Sequence, residues 1–241
     1  MATLRLISGN TIILIEDRSA KDTNPVAGAV TYNDSYGDLS FASVLVSTGV
    51  TYPVIGEIDY PLLHLDTAEV SGAGTLDICF SEVGFGPAGL KPFQSGIGGI
   101  AGDSVDGLTY VDGTNALFGT STVLSTFGSY TGSFSGTDTT FFDPTEPYSL
   151  TTKATITHTS AAQVTSLNLQ AAVVPEPLSS TLLLSAVQRL DSGVSEGSLK
   201  NKRLGFALQA ELMLALLFYC AARLDATYIL RTGHIIPSAK I

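Results

Sequence analysis

The sequence predicts an all-β fold, an antiparallel β-sandwich of jelly-roll type over residues 1–173, and three observations predict it. Thr, Ser, Gly, Val and aromatic residues dominate this stretch, while Lys and Glu, the usual cover of exposed helices, are scarce. Short runs of β-forming residues recur between turn residues, about ten to twelve of them by the strand-and-turn rule. No fixed period of self-similarity marks a solenoid.

Taken in order, Thr3 to Ile7 and Thr11 to Glu16 flank Ser8-Gly9-Asn10 and read as a hairpin. Asp22-Thr23-Asn24-Pro25 is a turn, because Pro25 fixes its own φ and pushes Asn24 away from helix. Ala29 to Tyr32 is a short strand, and Leu39 to Ser47, nearly continuous in apolar and small residues, reads as a central one. Leu62 to Val70 follows Pro61. Thr75 to Ser81 alternates Leu76, Ile78 and Phe80 against Thr75, Asp77, Cys79 and Ser81, which puts Cys79 on the more polar face. Gly84 to Gly107 is glycine-dense and reads as a long loop at a sheet rim. Leu108 to Val111, Thr120 to Phe127, Tyr130 to Ser135 and Thr139 to Phe142 are four short strands. After the turn Asp143-Pro144-Thr145-Glu146-Pro147, Ser149 to His158 alternates, and Gln163 to Val173 is expected to pair with it through Thr159 to Ala162.

Charge divides the chain. Of 241 residues, 22 are acidic and 12 basic, a net of −10. Residues 1–177 carry 18 acidic and 5 basic residues, whereas residues 178–241 carry 4 and 7. The acidity excludes a nucleic-acid binder, which needs clustered Lys and Arg. The sign changes just after Val174-Pro175-Glu176-Pro177, which gives three parts: a β domain over 1–173, a short motif over 174–177 and a tail over 178–241. The tail is expected to be partly helical or disordered. Leu182 to Val187 is an apolar run cut by Gln188 and Arg189, and an apolar helix is expected at 204–222. Its uncharged part, Leu212 to Ala222, is shorter than the roughly 20 residues that span a bilayer.

Val174-Pro175-Glu176-Pro177 resembles the signature that opens the PEP-CTERM sorting tail of exported Gram-negative bacterial proteins. Asp22-Thr23-Asn24-Pro25 with Gly28 and Tyr32 resembles a stretch near the start of many such proteins. So do Ser47-Thr48-Gly49, Gly74-Thr75-Leu76 with Phe80-Ser81, and Pro147-Tyr148-Ser149-Leu150 with Ile156-Thr157-His158. The resemblance implies export to the cell surface or exterior, and recognition of the sorting motif Val174, Pro175, Glu176 and Pro177 by a membrane-embedded exosortase. It also implies transient anchoring in the inner membrane by the tail, and association with extracellular polysaccharide. The chain departs from the family's pattern at both ends. No signal peptide precedes Ala2, and after Pro177 the expected apolar run is broken and no terminal arginine run follows, as a frameshift near residues 185–190 would produce.

No residue pattern selects a catalytic centre. Asp59, Asp66, Glu69, Asp77 and Glu82 are glycosidase candidates by abundance alone, since that chemistry needs two carboxyl groups across a sugar. His64, His158 and His234 form no metal-binding spacing, and Cys79 and Cys220 read as unpaired thiols. Gly96-Ile97-Gly98-Gly99 lacks the context of a phosphate loop. The acidic stretches Gly102 to Gly107 and Asn33 to Asp38 read as turns of the kind that supply oxygen ligands to Ca²⁺. Tyr32, Tyr36, Tyr110 and Tyr130 are candidates for stacking on sugars, with core packing as the alternative. The expectation is a non-catalytic, cofactor-free exported surface or matrix protein. The alternatives are a carbohydrate-binding module, with or without Ca²⁺, and a carbohydrate-active enzyme whose cleft holds two carboxylates.

Overall fold

The computed structural model describes residues 1–33, 43–86, 89–144 and 147–174, all within the first of two units, Met1–Glu176. The described residues contain no helix and form ten antiparallel strands. These are β1 (Thr3–Ser8), β2 (Thr11–Glu16), β3 (Ala29–Asn33), β4 (Ser43–Val50) and β5 (Leu62–Ser71). They continue as β6 (Gly74–Phe85), β7 (Lys91–Asp112), β8 (Thr122–Phe142), β9 (Tyr148–His158) and β10 (Val164–Val173).

The strand order is β2-β1-β6-β9-β7-β10-β5-β4-β3, with β8 on the far edge of β7. Strand β7 is the hinge of this arrangement. Its first half, Phe93 to Ile100, pairs with β10, and its second half, Ser104 to Asp112, pairs with β9. The sheet therefore has two arms, β1, β2, β6 and β9 in one and β3, β4, β5 and β10 in the other. The arms curve toward each other and nearly close a barrel. At the closure, Gly28 at the head of β3 donates its N–H to the Asp17 carboxylate at the end of β2, 3.0 Å away.

Alternation explains the core. Leu4, Leu6, Leu76, Ile78, Phe80, Leu150 and Ile156 point inward from one arm; Val30, Tyr32, Leu63, Leu65 and Leu169 point inward from the other, and all are buried in one cluster. Phe80 lies against Gly49 of the opposite arm, where a Cβ would overlap its ring. Tyr148 is fully buried among Phe85 and Phe93, with ring centroids 5.8 and 6.0 Å away. Burial pushes its hydroxyl far up from the ordinary tyrosine value, and the oxygen has no hydrogen-bond partner. Tyr148→Phe is therefore expected to keep or raise stability, by up to about 1 kcal/mol, because it removes an unsatisfied buried polar group. A fall in melting temperature would show that the hydroxyl has a stabilising partner.

Three sequence expectations are corrected. Gly84 to Gly107 is not a rim loop: most of it lies in β6 and β7, and the 22-residue β7 runs through the glycine cluster. The glycines mark close approaches rather than turns. A Cβ on Gly102 would lie 2.6 Å from the Val164 backbone nitrogen, and one on Gly107 2.6 Å from Ile97. The register shifts between Ala101 and Gly107, where β7 bends as it passes from β10 to β9. The expected short strands over 108–142 are likewise the end of β7 and one 21-residue strand, β8. Ladder bonds between β7 and β8 do not depend on side chains, so Gly128, Gly132 and Gly136 do not break the strand. Finally, β10 does not pair with β9. It lies in the other arm between β5 and β7, and Thr159 to Ala162 is a corner, not a hairpin turn. The expected helix at 204–222 and the rest of the tail lie outside the described residues.

Candidate functional site

Several described residues of the stretches that carry the resemblance serve the scaffold. The Asp22 carboxylate accepts backbone N–H bonds from Arg18, Asn24 and Thr31 at 2.9, 2.8 and 2.9 Å, and Asn24 Oδ1 accepts from Val26 N. Asp22 to Pro25 thus straps the β2–β3 loop to β3. Thr31 and Ser47 join neighbouring strands through hydroxyl pairs with Thr48 and Thr67 at 3.1 and 2.9 Å. The Ser81 hydroxyl lies 2.9 Å from that of Thr151 and accepts the Phe118 N–H, which holds the β7–β8 loop over the sheet. Of the sorting motif, Val174 is described and donates its N–H to the Pro92 carbonyl at 2.9 Å. Pro175, Glu176 and Pro177 lie outside the described residues.

The candidate carboxylates are dispersed. Asp77 pairs with Lys153 at 2.9 Å and accepts the Thr155 hydroxyl at 2.6 Å on the outer face of β6. Glu82 points inward beside the Met1 ammonium, 3.4 Å away. Glu69 is exposed at φ +53°, next to the register shift between β10 and β5. Asp59 lies in the loop before β5 beside Gly86, and Asp66 is exposed on β5. Cys79 is buried and unpaired, because the Arg5 guanidinium, stacked 4.0 Å over Phe118, covers the face it occupies. Burial pushes its thiol up from the ordinary value, against the Arg5 hydrogen bond. Cys220 and His234 lie outside the described residues.

The stretch Gly102 to Gly107 is strand rather than turn. Its carboxylates have protein partners: Asp103 accepts the Thr159 N–H at 3.0 Å, and Asp106 accepts the Ser129 hydroxyl at 2.7 Å. Hydrogen bonds from Thr159 hold the exposed Asp103 carboxyl below the usual carboxylate range. Of the second acidic stretch, only Asn33 is described. Among the described residues, no group of three His, Cys, Asp or Glu side chains gathers as a metal site. Tyr32 is fully buried in the core, and Tyr130 stacks on Phe134 at 4.9 Å against that core, so neither is a free sugar platform. Tyr36 lies outside the described residues.

Among the described residues, one shaped surface is absent from the sequence reading. On the outer face of the β10 arm, register places Ser135, Gly98, Asn168, Asp66 and Thr48 in one row across five strands. The next row holds Thr137, Gly96, Gln170 and His64. The two glycines leave a trough along β7 between the side chains of β8 and β10. It forms one depression of about 360 Å³ and a second of about 280 Å³, both bordered by Asn168. The lining offers hydroxyls, two amides and the Asp66 carboxylate, with the exposed Ile100 as apolar surface and no Lys or Arg. Amides and hydroxyls both donate and accept, so the trough suits a polyhydroxylated ligand laid along the strand. The alternation of Ser166, Asn168 and Gln170 against Leu167 and Leu169 was visible in the sequence, but not that these residues would sit beside the β7 glycines.

No family model and no curated protein matches the chain. Among solved structures, it is similar to the K1 cleaved adhesin domain of Lys-gingipain from Porphyromonas gingivalis W83, with a TM-score of 0.35 and 11% identity over 66% of this chain and 97% of that one. The K3 cleaved adhesin domain of the same protein gives 0.33 and 13% over 66% and 99%. The enzymatically active domain of tailspike protein 4 from bacteriophage CBA120 gives 0.31 and 11%, over 72% of this chain and 19% of that one. Similarity at this level assigns the chain to no family.

Proposed function

We propose that residues 1–173 form a non-catalytic polysaccharide-binding domain of an exported surface or matrix protein, with the two arms of the sheet as the layers of a jelly-roll-like sandwich. The observation that carries the binding reading is the glycine-floored trough walled by Asn168, Gln170, Ser135 and Thr137. Its single carboxylate and lack of cations favour neutral over acidic polysaccharide. A non-catalytic role accords with Asp66 being the only one of the five candidate carboxylates in the trough lining. The sorting reading rests on the resemblance alone. Val174, the first residue of that motif, follows β10 directly.

Gly98→Val tests the trough without disturbing the fold. A Cβ there meets nothing closer than 3.7 Å, and Val is the better strand former. The full chain is expected to be retarded in native gels containing a neutral glucan, galactomannan or xylan. The variant should keep its melting temperature and bind about tenfold or more weakly, equivalent to about 1.4 kcal/mol. No retardation in any of these gels, or equal retardation of the variant, would overturn the reading.

A further inference from the structure

The closure between the arms holds oxygen atoms that the protein leaves without partners. Asp17 follows β2 in the alternation of Ile13 and Ile15, and Glu82 continues the inward row of Ile78 and Phe80 on β6. Thr51, fully buried, follows β4 from the opposite arm. Hydrogen bonds tie Asp17 to Thr51 through Gly28: Gly28 N–H donates to Asp17 Oδ2 at 3.0 Å and Thr51 N–H to the Gly28 carbonyl at 2.8 Å, while Asp17 N–H bonds the Ala2 carbonyl at 3.0 Å next to Met1, whose ammonium faces Glu82. Asp17 Oδ1, Glu82 Oε2 and Thr51 Oγ1 are all buried and none closes a hydrogen bond of good geometry, although the Thr51 hydroxyl comes close enough to the Glu82 carboxyl to favour its charged form. The Met1 ammonium faces only the other Glu82 oxygen, Oε1. Burial pushes the Glu82 carboxyl up from its ordinary value; the ammonium and the Thr51 hydroxyl oppose this, and the Asp17 charge reinforces it.

Leaving carboxylate oxygens buried and unpaired is costly, and here two of them share a site with an unpaired hydroxyl. A hard cation bound by oxygen atoms satisfies all three at once. The Ala2 and Gly28 carbonyls at the same place each keep a second lone pair. We propose that this closure is a structural Ca²⁺ site, with Asp17, Glu82 and Thr51 as side-chain ligands, and that the ion ties one arm of the sheet to the other. Ca²⁺ suits the site better than Mg²⁺ because irregular oxygen ligands from three chain segments fit its flexible coordination. The site is separate from the trough and does not depend on polysaccharide binding.

The test is calorimetric titration and thermal melting of the full chain, stripped with a chelator and then supplied with CaCl₂. One binding event is expected, with a rise in Tm of about 5–10 °C at 100 times Kd. Asp17→Asn and Glu82→Gln should each weaken binding at least about tenfold, while Asp103→Asn should leave it unchanged. In chelator, Glu82→Gln should melt no lower than the parent, since it removes a buried charge and keeps the shape. Absence of both heat and Tm shift for the parent at about 10 mM Ca²⁺, above the range of extracellular modules, would overturn the proposal. So would an undiminished shift in the Asp17→Asn/Glu82→Gln double variant, or an equal shift with Mg²⁺.

Discussion

Phe80→Ala is expected to cost about 3–5 kcal/mol and to lower the melting temperature by roughly 10 °C. Phe80 is fully buried on β6, and its ring fills the space that Gly49 of β4 leaves empty across the core. Truncating the ring leaves a cavity that strands held by their own ladders cannot collapse to fill. The converse change, Gly49→Ala, drives a methyl into the ring and should cost about 1–3 kcal/mol. The two costs should not add, because the methyl introduced by Gly49→Ala occupies part of the cavity left by Phe80→Ala. Chemical denaturation of the four proteins of the cycle measures this. Additive costs would show that the ring and the glycine do not act as one contact.

His158→Ala is expected to cost about 3 kcal/mol, although the residue lies at a strand end. His158 is buried where the chain passes from β9 to β10 and so changes arms. Its Nδ1 lies 2.9 Å from the Gly72 carbonyl at the β5–β6 corner, and its Nε2 lies 2.7 Å from the Thr165 hydroxyl. The Thr165 oxygen also accepts the Gly102 N–H at 3.0 Å. These bonds set the direction of the chain. The Gly72 oxygen can only accept, so Nδ1 carries the hydrogen and Nε2 accepts the Thr165 O–H. One imidazole therefore ties together three of the places where the chain crosses between arms: the β5–β6 corner, the bend of β7 and the β9–β10 corner. Thr165→Val should cost nearly as much as His158→Ala, and the double variant little more than either. Nitrogen NMR of the ring should show the Nδ1–H form. The opposite tautomer, or full additivity, would refute the network.

Much of this fold is legible from local pattern. The alternation in Thr75 to Ser81 and Ser149 to His158 identifies β6 and β9 and their inward faces, because a half-buried strand must alternate, whereas in β2 Ile12, Ile13, Leu14 and Ile15 are all apolar and only the structure shows that Ile13 and Ile15 face inward. The hairpin at Gly9 is legible for a similar reason, since its φ of +58° is one that glycine adopts without strain. The long strands are not legible. Glycine and serine mark turns when nothing pairs with them, and fit a strand when a second backbone lies close alongside. Gly102 beside Val164 is the second case, and only pairing partners distant in sequence reveal it.

The candidate sites divide in the same way. Asn168 and Gln170 could be seen to share a face, but the trough needs Gly96 and Gly98 of β7 as its floor and Ser135 and Thr137 of β8 as its far wall. Asp17, Thr51 and Glu82 belong to three segments with no shared motif and meet only because the arms close.

The sequence by itself determined the acidity of the chain, the all-β class of its described residues and the inward faces of β6 and β9, and it carries a change in the sign of its charge after Pro177. Period-two burial, turn chemistry and net charge are local or summed properties, and a single chain carries them in full. Tertiary structure alone decided that β7 serves two partners, that β9 and β10 part into different arms, and that an empty glycine row becomes a trough. Each of these depends on which backbone comes to lie beside which, and residues far apart in the chain are joined there by hydrogen bonds that no local pattern encodes.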